Sequence, residues 1–185
     1  GALVWDACAG SGGKSIMAAD ILPGCRLFVS DLRPSILQNL SARFRSAGIR
    51  EFRSAVLDIS LMNNRKNEAP GFFPPGGFDL VIADVPCSGS GTWGRDPWAM
   101  SMFGMEDLEA YAHRQRSILT RLIPHVKPGG YLLYITCSVY AMENEAMVAF
   151  LGKQGGLRLL QSGLIRGYAQ RADSMFAALF TSTRG

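Results

Sequence analysis

The sequence is poor in the residues that hold metal ions or disulfide frameworks. It has two histidines, His113 and His125, and four cysteines, none of them in the C-x-x-C spacing of a metal site. Neither histidine has the neighbours of a ligand set, so we expect surface or capping roles for both. We therefore predict no metal, and we expect free thiols in a reducing compartment at Cys8, Cys25, Cys87 and Cys137.

Long apolar runs are also absent. Every hydrophobic stretch is broken by a charged residue, Gly or Pro well short of the roughly 20 residues that a bilayer span requires. No charged segment followed by an apolar one opens the chain, which argues against a secretory signal. These absences predict a soluble, cytoplasmic protein with no membrane contact, and we expect a monomer.

Strand-like and helix-like patterns alternate along the chain. Apolar stretches at 3–6, 26–31, 51–57, 78–83 and 131–135 predict strands, and helical patterns lie at 16–22, 34–47, 105–126 and 142–153. Two more strands, 157–160 and 175–181, are predicted as an antiparallel pair. The alternation predicts one three-layer α/β domain over residues 1–185 with a mainly parallel sheet.

A glycine-rich loop follows the first predicted strand, with the sequence Cys8-Ala9-Gly10-Ser11-Gly12-Gly13-Lys14-Ser15. Its end matches the phosphate-binding pattern G-x-x-x-x-G-K-[ST], but that pattern requires glycine where this chain has Cys8, which argues against an ATPase or GTPase. The G-x-G-x-x-G pattern fails at Ser15. Glycines still let a ligand approach the backbone, and the next helix offers free N–H groups, so the loop predicts a site for a nucleoside-like ligand.

Three successive predicted strands are followed by an acid, namely Asp31, Asp58 and Asp84. In a parallel sheet these carboxylates would share the carboxyl edge, where ligands bind in α/β folds. An adenosine there could contact Asp31 through its ribose hydroxyls and Asp58 through the adenine amino group. Alternatively, Asp31 could cap the next helix and Asp58 could cap a loop.

Two thiols are predicted at the same edge. Cys87 lies in Asp84-Val85-Pro86-Cys87-Ser88-Gly89-Ser90-Gly91-Thr92, and Cys137 lies in Thr136-Cys137-Ser138, directly after the strand at 131–135. An isolated cysteine is usually a small buried hydrophobe. Here each thiol lies at a strand end beside polar turn residues, which favours partial exposure and reactivity in one shared pocket.

The glycine loop, the stretch from Asp84 to Thr92 with Arg95-Asp96-Pro97, and Thr136-Cys137-Ser138 with Glu143-Asn144-Glu145 resemble the Sun family of RNA cytosine-C5 methyltransferases. The resemblance covers nearly the whole chain. It implies a Rossmann-like S-adenosylmethionine methyltransferase fold, S-adenosylmethionine as the cofactor, and RNA, either rRNA or tRNA, as the partner.

The chain departs from the family pattern in two respects. The family usually reads C-A-A-P-G-G-K in the glycine loop, where this chain has Gly10 and Ser11 in place of Ala-Pro. The family also carries an upstream RNA-binding region, so we expect residues 1–185 to be a catalytic fragment of a longer protein.

The resemblance also implies roles for single residues. Cys137 would be the nucleophile that adds to cytosine C6, Cys87 would assist product release, and Asp84 would hydrogen-bond the N3/N4 edge of the base. The residues alone do not order the thiols, because DNA cytosine-C5 methylases use a Pro-Cys thiol in the position of Cys87. The implied cofactor-binding residues are Cys8, Ala9, Gly10, Ser11, Gly12, Gly13, Lys14, Asp31, Asp58 and Asp84.

The charge balance fits an RNA partner without requiring one. The net charge is +4, and six arginines lie between Arg26 and Arg53, although a solvated helix face is the better explanation of this run taken alone. Lys14 and Arg95 are further candidates for cofactor-carboxylate or phosphate contacts. Two other functions stay open at this point: a methylase of DNA, protein or a small molecule, which would not need two thiols, and a non-catalytic RNA-binding assembly protein.

Overall fold

The computed structural model describes residues 1–62 and 69–185 and contains a mostly parallel sheet. Its strands are β1 Leu3–Asp6, β2 Arg26–Asp31, β3 Phe52–Val56, β4 Phe78–Asp84, β5 Val126–Thr136, β6 Leu157–Ile165 and β7 Met175–Ser182. Their order is β3-β2-β1-β4-β5-β7-β6. Of these strands, β7 runs in the opposite direction to the other six and pairs antiparallel with both β5 and β6. This confirms the predicted α/β class, the parallel sheet and the antiparallel strand pair at the C-terminus.

The helices are α1 Gly13–Ile21, α2 Pro34–Ser46, α3 Pro97–Met102, α4 Met105–Leu122 and α5 Glu145–Lys153. Helix α4 ends earlier than predicted because Pro124 cannot continue an α-helix, and a 3-10 turn, Ile123–His125, follows it. Helix α3 was not predicted. It begins at a proline, and Asp96 caps it by accepting a hydrogen bond from the N–H of Ala99 at 3.1 Å.

Two strands are longer than the sequence patterns predict. Strand β5 begins at Val126, earlier than the predicted strand at 131–135. It continues through Gly129, which takes a positive φ of 70°, and the pairing of β5 with β4 shifts in register near this point. Strand β6 continues to Ile165 and pairs with β7 along its length, whereas the predicted strand covers only 157–160.

Alternation along the strands divides the core into two layers. Val4 and Leu27 pack with Leu40 and Phe44 of α2, whereas the next residue of β1, Trp5, packs on the opposite face. That second layer contains α4 and α5 and an aromatic cluster formed by Trp5, Phe28, Phe72, Phe73 and Phe78. Alternating side chains of one parallel strand thus serve both layers, as its near-continuous apolar sequence predicts.

Between the predicted strands at 51–57 and 78–83, the sequence predicts a loop from Ser60 to Gly77, which is rich in Pro, Gly and Phe. Residues 63–68 of this loop lie outside the described ranges. Phe72 is buried, and the ring of Phe73 stacks on His125 at 4.5 Å. The expected surface role of His125 is therefore wrong, since its ring fills space in the aromatic core; His113 is exposed, as predicted. No helix within the described ranges is long and apolar enough to cross a bilayer.

Leu132 offers a test of packing in the core layer that contains Trp5. Its side chain is fully buried in β5, so we expect Leu132→Ala to lower the free energy of unfolding by about 2–5 kcal/mol through lost burial and a cavity. The neighbouring Tyr131, which is 44% exposed, serves as the control, and Tyr131→Ala should cost clearly less. Urea denaturation of both variants measures the difference, and equal losses would contradict this description of the core.

Candidate active site

The glycine loop between β1 and α1 is shaped by helix α2. Gly12 caps α1 with a φ of 84°, and a Cβ added there would lie 2.7 Å from the Phe44 ring and 2.9 Å from Leu40. Its neighbour Ser11 accepts hydrogen bonds from the guanidinium of Arg43 at its carbonyl oxygen, 3.0 Å, and at its hydroxyl, 2.6 Å. The loop therefore rests on apolar side chains of α2 and is braced at its outer side by Arg43.

Asp31, at the end of β2, joins the glycine loop. Its Oδ2 accepts a hydrogen bond from the N–H of Gly10 at 3.0 Å, and both carboxylate oxygens accept from the guanidinium of Arg33. Burial would raise the pKa of Asp31, but the hydrogen bonds and charge of Arg33 outweigh it and lower the pKa. Asp31 is thus a charged carboxylate beside the loop. Its counter-ion is Arg33, the residue directly before α2.

Asp58 is separate from this group. Its Oδ1 accepts hydrogen bonds from the N–H of Ser60 at 3.0 Å and from the Ser60 hydroxyl, so it caps the 3-10 turn Ile59–Leu61. The alternative of a loop cap therefore describes the present contacts of Asp58. No hydrogen bond among the described residues links it to the glycine loop.

Lys14 and Asp84 form an ion pair across the sheet edge. The Nζ of Lys14, in the first turn of α1, lies 2.5 Å from Oδ2 of Asp84 at the end of β4, and each side chain is 27% exposed. Burial raises the pKa of Asp84 although Lys14 opposes the rise. Burial would lower the pKa of Lys14, but the Asp84 charge and hydrogen bond reverse that and raise it. A partly buried carboxyl group and an ammonium group thus form an ion pair at the sheet edge.

Cys87 and Cys137 come together as the sequence predicts. The N–H of Cys137 points at the sulfur of Cys87 at 3.3 Å, and both thiols are half-buried and free. The Gly91 N–H donates to the Cys137 carbonyl oxygen at 2.9 Å, so the two loops stay paired beyond the ends of β4 and β5. The contact between the two loops therefore depends on backbone pairing as well as on strand position.

Charged groups surround the two thiols unequally. Burial raises the pKa of Cys137, Asp84 and Asp173 add to the rise, and Lys14 and Arg95 lower it. Burial raises the pKa of Cys87 to about 12, where the N–H groups of Gly89 and Cys137 oppose the rise and the negative Glu143 adds to it. The two cations near Cys137 thus offset part of the rise caused by burial and by two acids, whereas Glu143 adds to the rise at Cys87.

The remaining thiol of the loop, Cys8, is an interior group. Burial, with Asp6 next, raises its pKa far above the ordinary thiol value, so Cys8 stays protonated and packs as a small hydrophobe. Its backbone still belongs to the loop, because the following Ala9 N–H donates to the Ser30 carbonyl oxygen at 2.9 Å.

Sequence reasoning missed Asp6. This carboxyl group is fully buried at the end of β1. Its Oδ2 accepts a hydrogen bond from the Ser15 hydroxyl at 2.6 Å, and its Oδ1 has no hydrogen-bond partner among the described residues. Burial raises the pKa of Asp6 to about 7, partly against the Ser15 hydrogen bond. The sequence contained a signal, because Asp6 ends an apolar strand just as Asp31 and Asp84 do.

Sequence reasoning also missed Asp173, the ion-pair partner of the predicted candidate Arg95. Arg95 makes a bidentate ion pair with Asp173, with both N–O distances at 2.7 Å, and thereby links the segment after Cys87 to the β6–β7 loop. Ser174 N–H donates to the Gly91 carbonyl oxygen at 3.0 Å beside it. Such a contact over 78 positions has no local pattern that could have predicted it.

A cavity of about 1230 Å³ opens from the glycine loop onto one face of the sheet. Gly10, Ser11, Lys14 and Asp84 line its polar end, and apolar side chains of β4, β5 and β7 line the rest. Among the described residues no group of three or more His, Cys, Asp or Glu could hold a metal ion. The cavity therefore joins the glycine loop to the Lys14–Asp84 pair, and neither Cys87 nor Cys137 is among the residues that line it.

Comparison with known proteins identifies a family and relatives that match most of the chain. The family model described as 16S rRNA methyltransferase RsmB/F matches residues 1–179. The mouse 28S rRNA (cytosine-C(5))-methyltransferase is 31% identical over 182 residues, which are 95% of this chain and 21% of that protein. The ribosomal RNA small subunit methyltransferase B of Shewanella oneidensis is 32% identical over 162 residues, 85% of this chain and 35% of that protein.

A solved methyltransferase homolog from Pyrococcus horikoshii has the same fold, with a TM-score of 0.78 at 20% identity, covering 98% of this chain and 62% of that one. This confirms the predicted Rossmann-like methyltransferase fold. The chain spans only about a fifth to a third of the length of the two relatives above.

Gly12 and Gly13 provide a matched test of the loop geometry. Gly12→Ala would place a side chain in the left-handed region and against Phe44, so we expect it to lower the free energy of unfolding by at least about 1–2 kcal/mol. Gly13 has open space around its Cα, and Gly13→Ala in the first turn of α1 should be neutral or stabilising by up to about 1 kcal/mol. Urea denaturation compares the two variants; equal stabilities would show that α2 does not hold Gly12 in this conformation.

Proposed function

This chain belongs to the 16S rRNA methyltransferase RsmB/F family, and on that premise we propose that it transfers a methyl group from S-adenosylmethionine to C5 of a cytosine in RNA. Ribosomal RNA is the first substrate to test, because the relatives above are named as rRNA methyltransferases, and tRNA is the second. The observation that carries the proposal is the pairing of two thiols, Cys87 and Cys137, beside the Lys14–Asp84 ion pair.

Two thiols suit this reaction because cytosine C5 is a poor nucleophile. In the proposed mechanism the Cys137 thiolate adds to C6, which gives C5 enamine character and lets it accept a methyl group. Methyl transfer leaves S-adenosylhomocysteine as the other product. A base then takes the C5 proton, the C5–C6 double bond re-forms, and the bond between C6 and the Cys137 sulfur breaks, so that Cys137 leaves as a thiolate. Cys87 is the group proposed to assist this elimination. Lys14 and Arg95 are proposed to help Cys137 ionise, because both lower the pKa of its thiol against the rise caused by burial, Asp84 and Asp173.

Asp84 is proposed to bind the N3/N4 edge of the cytosine. When the thiolate adds to C6, negative charge develops on the ring, and a proton or hydrogen bond at N3 stabilises it. Asp84 ends β4 with its side chain partly exposed, so its carboxyl group is accessible to a base bound at this edge. Because thiol, carboxyl group and methyl donor must all reach one base, the cytosine is expected to be single-stranded or flipped out of its stack.

The residues of the sheet edge fit S-adenosylmethionine. This cofactor supplies an electrophilic methyl group on a sulfonium, and its adenosine and amino-acid parts need hydroxyl acceptors and an open backbone. Gly10 and Gly13 would meet no atom within 4 Å if they carried a Cβ, which leaves room beside the loop. Asp31 is proposed to accept from the ribose hydroxyls, Asp58 from the adenine amino group, and the orphaned oxygen of Asp6 marks an unmet acceptor behind the loop.

The two cysteines are expected to fail at different steps. Cys137→Ala should abolish methyl transfer to RNA, because no thiolate can add to C6. Cys87→Ala should instead accumulate a covalent protein–RNA adduct, because methylation proceeds and release does not. Tritium transfer from labelled S-adenosylmethionine and a denaturing gel measure the two outcomes.

The cysteine that sits away from the pair, Cys25, provides the control for that experiment. Cys25→Ala should leave both transfer and adduct at the parent level, since Cys25 lies outside the paired loops. An adduct that requires Cys87 and survives in Cys137→Ala would reverse the two roles. Transfer to DNA, protein or a small molecule with none to RNA would favour another class of methylase.

The strand-end acids are tested by calorimetry with S-adenosylmethionine. Removing a charged hydrogen-bond acceptor costs about 1.5–3 kcal/mol, so Asp31→Ala and Asp58→Ala are each expected to weaken binding by about 10-fold or more. The exposed Asp20 of α1 provides the control, and Asp20→Ala should bind as the parent does. Unchanged affinity in either strand-end variant would remove that acid from the cofactor site.

A further inference from the structure

We propose that Glu143 is a positioning residue that fixes the Cys87 loop against the segment carrying Cys137, and that its buried charge keeps the two thiols chemically unequal. The inference rests on the proposed two-cysteine reaction. The Glu143 side chain contacts Ser88 of the Cys87 loop and Gln115 of α4.

Glu143 is fully buried and holds the Cys87 loop through both carboxylate oxygens. Its Oε1 accepts from the backbone N–H of Ser88 at 2.9 Å and from Nε2 of Gln115 at 2.9 Å, and its Oε2 accepts from the Ser88 hydroxyl. Gln115 Nε2 also donates to the Pro86 carbonyl oxygen at 2.9 Å. The residues on both sides of Cys87 are therefore tied to one carboxylate.

The next residue, Asn144, holds the Cys137 segment in the same way. Its side-chain nitrogen donates to the Ser138 carbonyl oxygen at 2.9 Å, and its oxygen accepts from the Thr136 hydroxyl at 2.6 Å. Glu143 and Asn144 thus brace one cysteine loop each. Because they are adjacent in the chain, the relative position of the two loops depends on this dipeptide.

The dipeptide is itself anchored in the core. The Glu143 carbonyl oxygen accepts from the hydroxyl of the buried Tyr134 in β5, and the same hydroxyl lies 3.3 Å from Oε1 of Gln115. The Ser88 and Ser138 hydroxyls lie 3.2 Å apart and join the two loops in front of it. Strand β5, helix α4 and both loops therefore share one buried hydrogen-bond network.

The donors around the Glu143 carboxylate are all neutral: a backbone N–H, a side-chain amide and a hydroxyl. Its charge therefore acts on its surroundings, and after burial it is the charged group that raises the pKa of Cys87, with Cys137 next. Cys137 faces Asp84 and Asp173 but also Lys14 and Arg95. Glu143 thus opposes a thiolate at Cys87, whereas at Cys137 the cations Lys14 and Arg95 offset part of the effect of burial and of the two acids.

Two substitutions separate geometry from charge. In Glu143→Gln the amide oxygen can accept from Ser88 and Gln115 while the amide nitrogen donates to the Ser88 hydroxyl, so the contacts persist and the charge is lost. Glu143→Ala removes both. The exposed Glu145, two residues on, gives the matched control Glu145→Gln.

The experiment measures the iodoacetamide alkylation rate of each cysteine against pH by peptide mass spectrometry, and methyl transfer alongside it. We expect Glu143→Gln to move the Cys87 profile to lower pH and to raise its rate several-fold at a given pH, with methyl transfer largely kept. Glu143→Ala should lose methyl transfer by about 100-fold through misplacement of the loops, with S-adenosylmethionine affinity unchanged. Glu145→Gln should match the parent in every measurement.

An unchanged Cys87 profile in Glu143→Gln, or full methyl transfer in Glu143→Ala, would overturn the proposal. If Glu143→Ala does not fold, Ser88→Ala replaces it, because it removes one arm of the same contact and should also lower methyl transfer at unchanged cofactor affinity. A parent chain that alkylates as expected yet methylates no RNA would refute the proposed function while the pH profiles still test Glu143.

Discussion

Parallel pairing of β4 and β5 is the constraint on which the two-thiol site depends. The register sets Asp84 opposite Ile135, so the segments that follow leave the sheet side by side. Pairing then continues outside the strands, since Val85 N–H donates to the Ile135 carbonyl oxygen at 3.2 Å and Gly91 N–H donates to Cys137. A slip of one residue in this register would turn one thiol away from the other, because side chains alternate between the faces of a strand.

The same geometry explains what could be predicted from the sequence. Asp84, Cys87 and Cys137 follow apolar strands directly, and so their meeting at one edge could be derived from local patterns alone. Glu143 and Ser88 are 55 positions apart, and their contact exists only once α4 and β5 have packed. Gln115 carried a weak signal, since it interrupts the apolar stripe of α4 formed by Leu108, Ile118 and Leu122, and a buried amide there requires partners.

Buried carboxyl groups make this site costly to build. Glu143 and Asp6 are both fully buried, and neither has an ion-pair partner among the residues that the structure describes. Burying a polar group requires hydrogen bonds to offset the loss of water. Glu143 meets that requirement with three donors, whereas Asp6 has one and keeps an orphaned oxygen. The first carboxylate is therefore part of a completed network, and the second belongs to a region where a polar group is still unmet.

The departure from the family pattern in the glycine loop has a physical counterpart in α2. A proline at the position of Ser11 would restrict the backbone there by its ring, and Ser11 lacks that restriction. Arg43 contacts both the carbonyl oxygen and the hydroxyl of Ser11, while Gly12 is seated on Phe44 and Leu40. Contacts from a neighbouring helix thus hold the loop where the covalent restriction is missing. Because the Arg43 contact is exposed, it restrains the loop less firmly than a ring would.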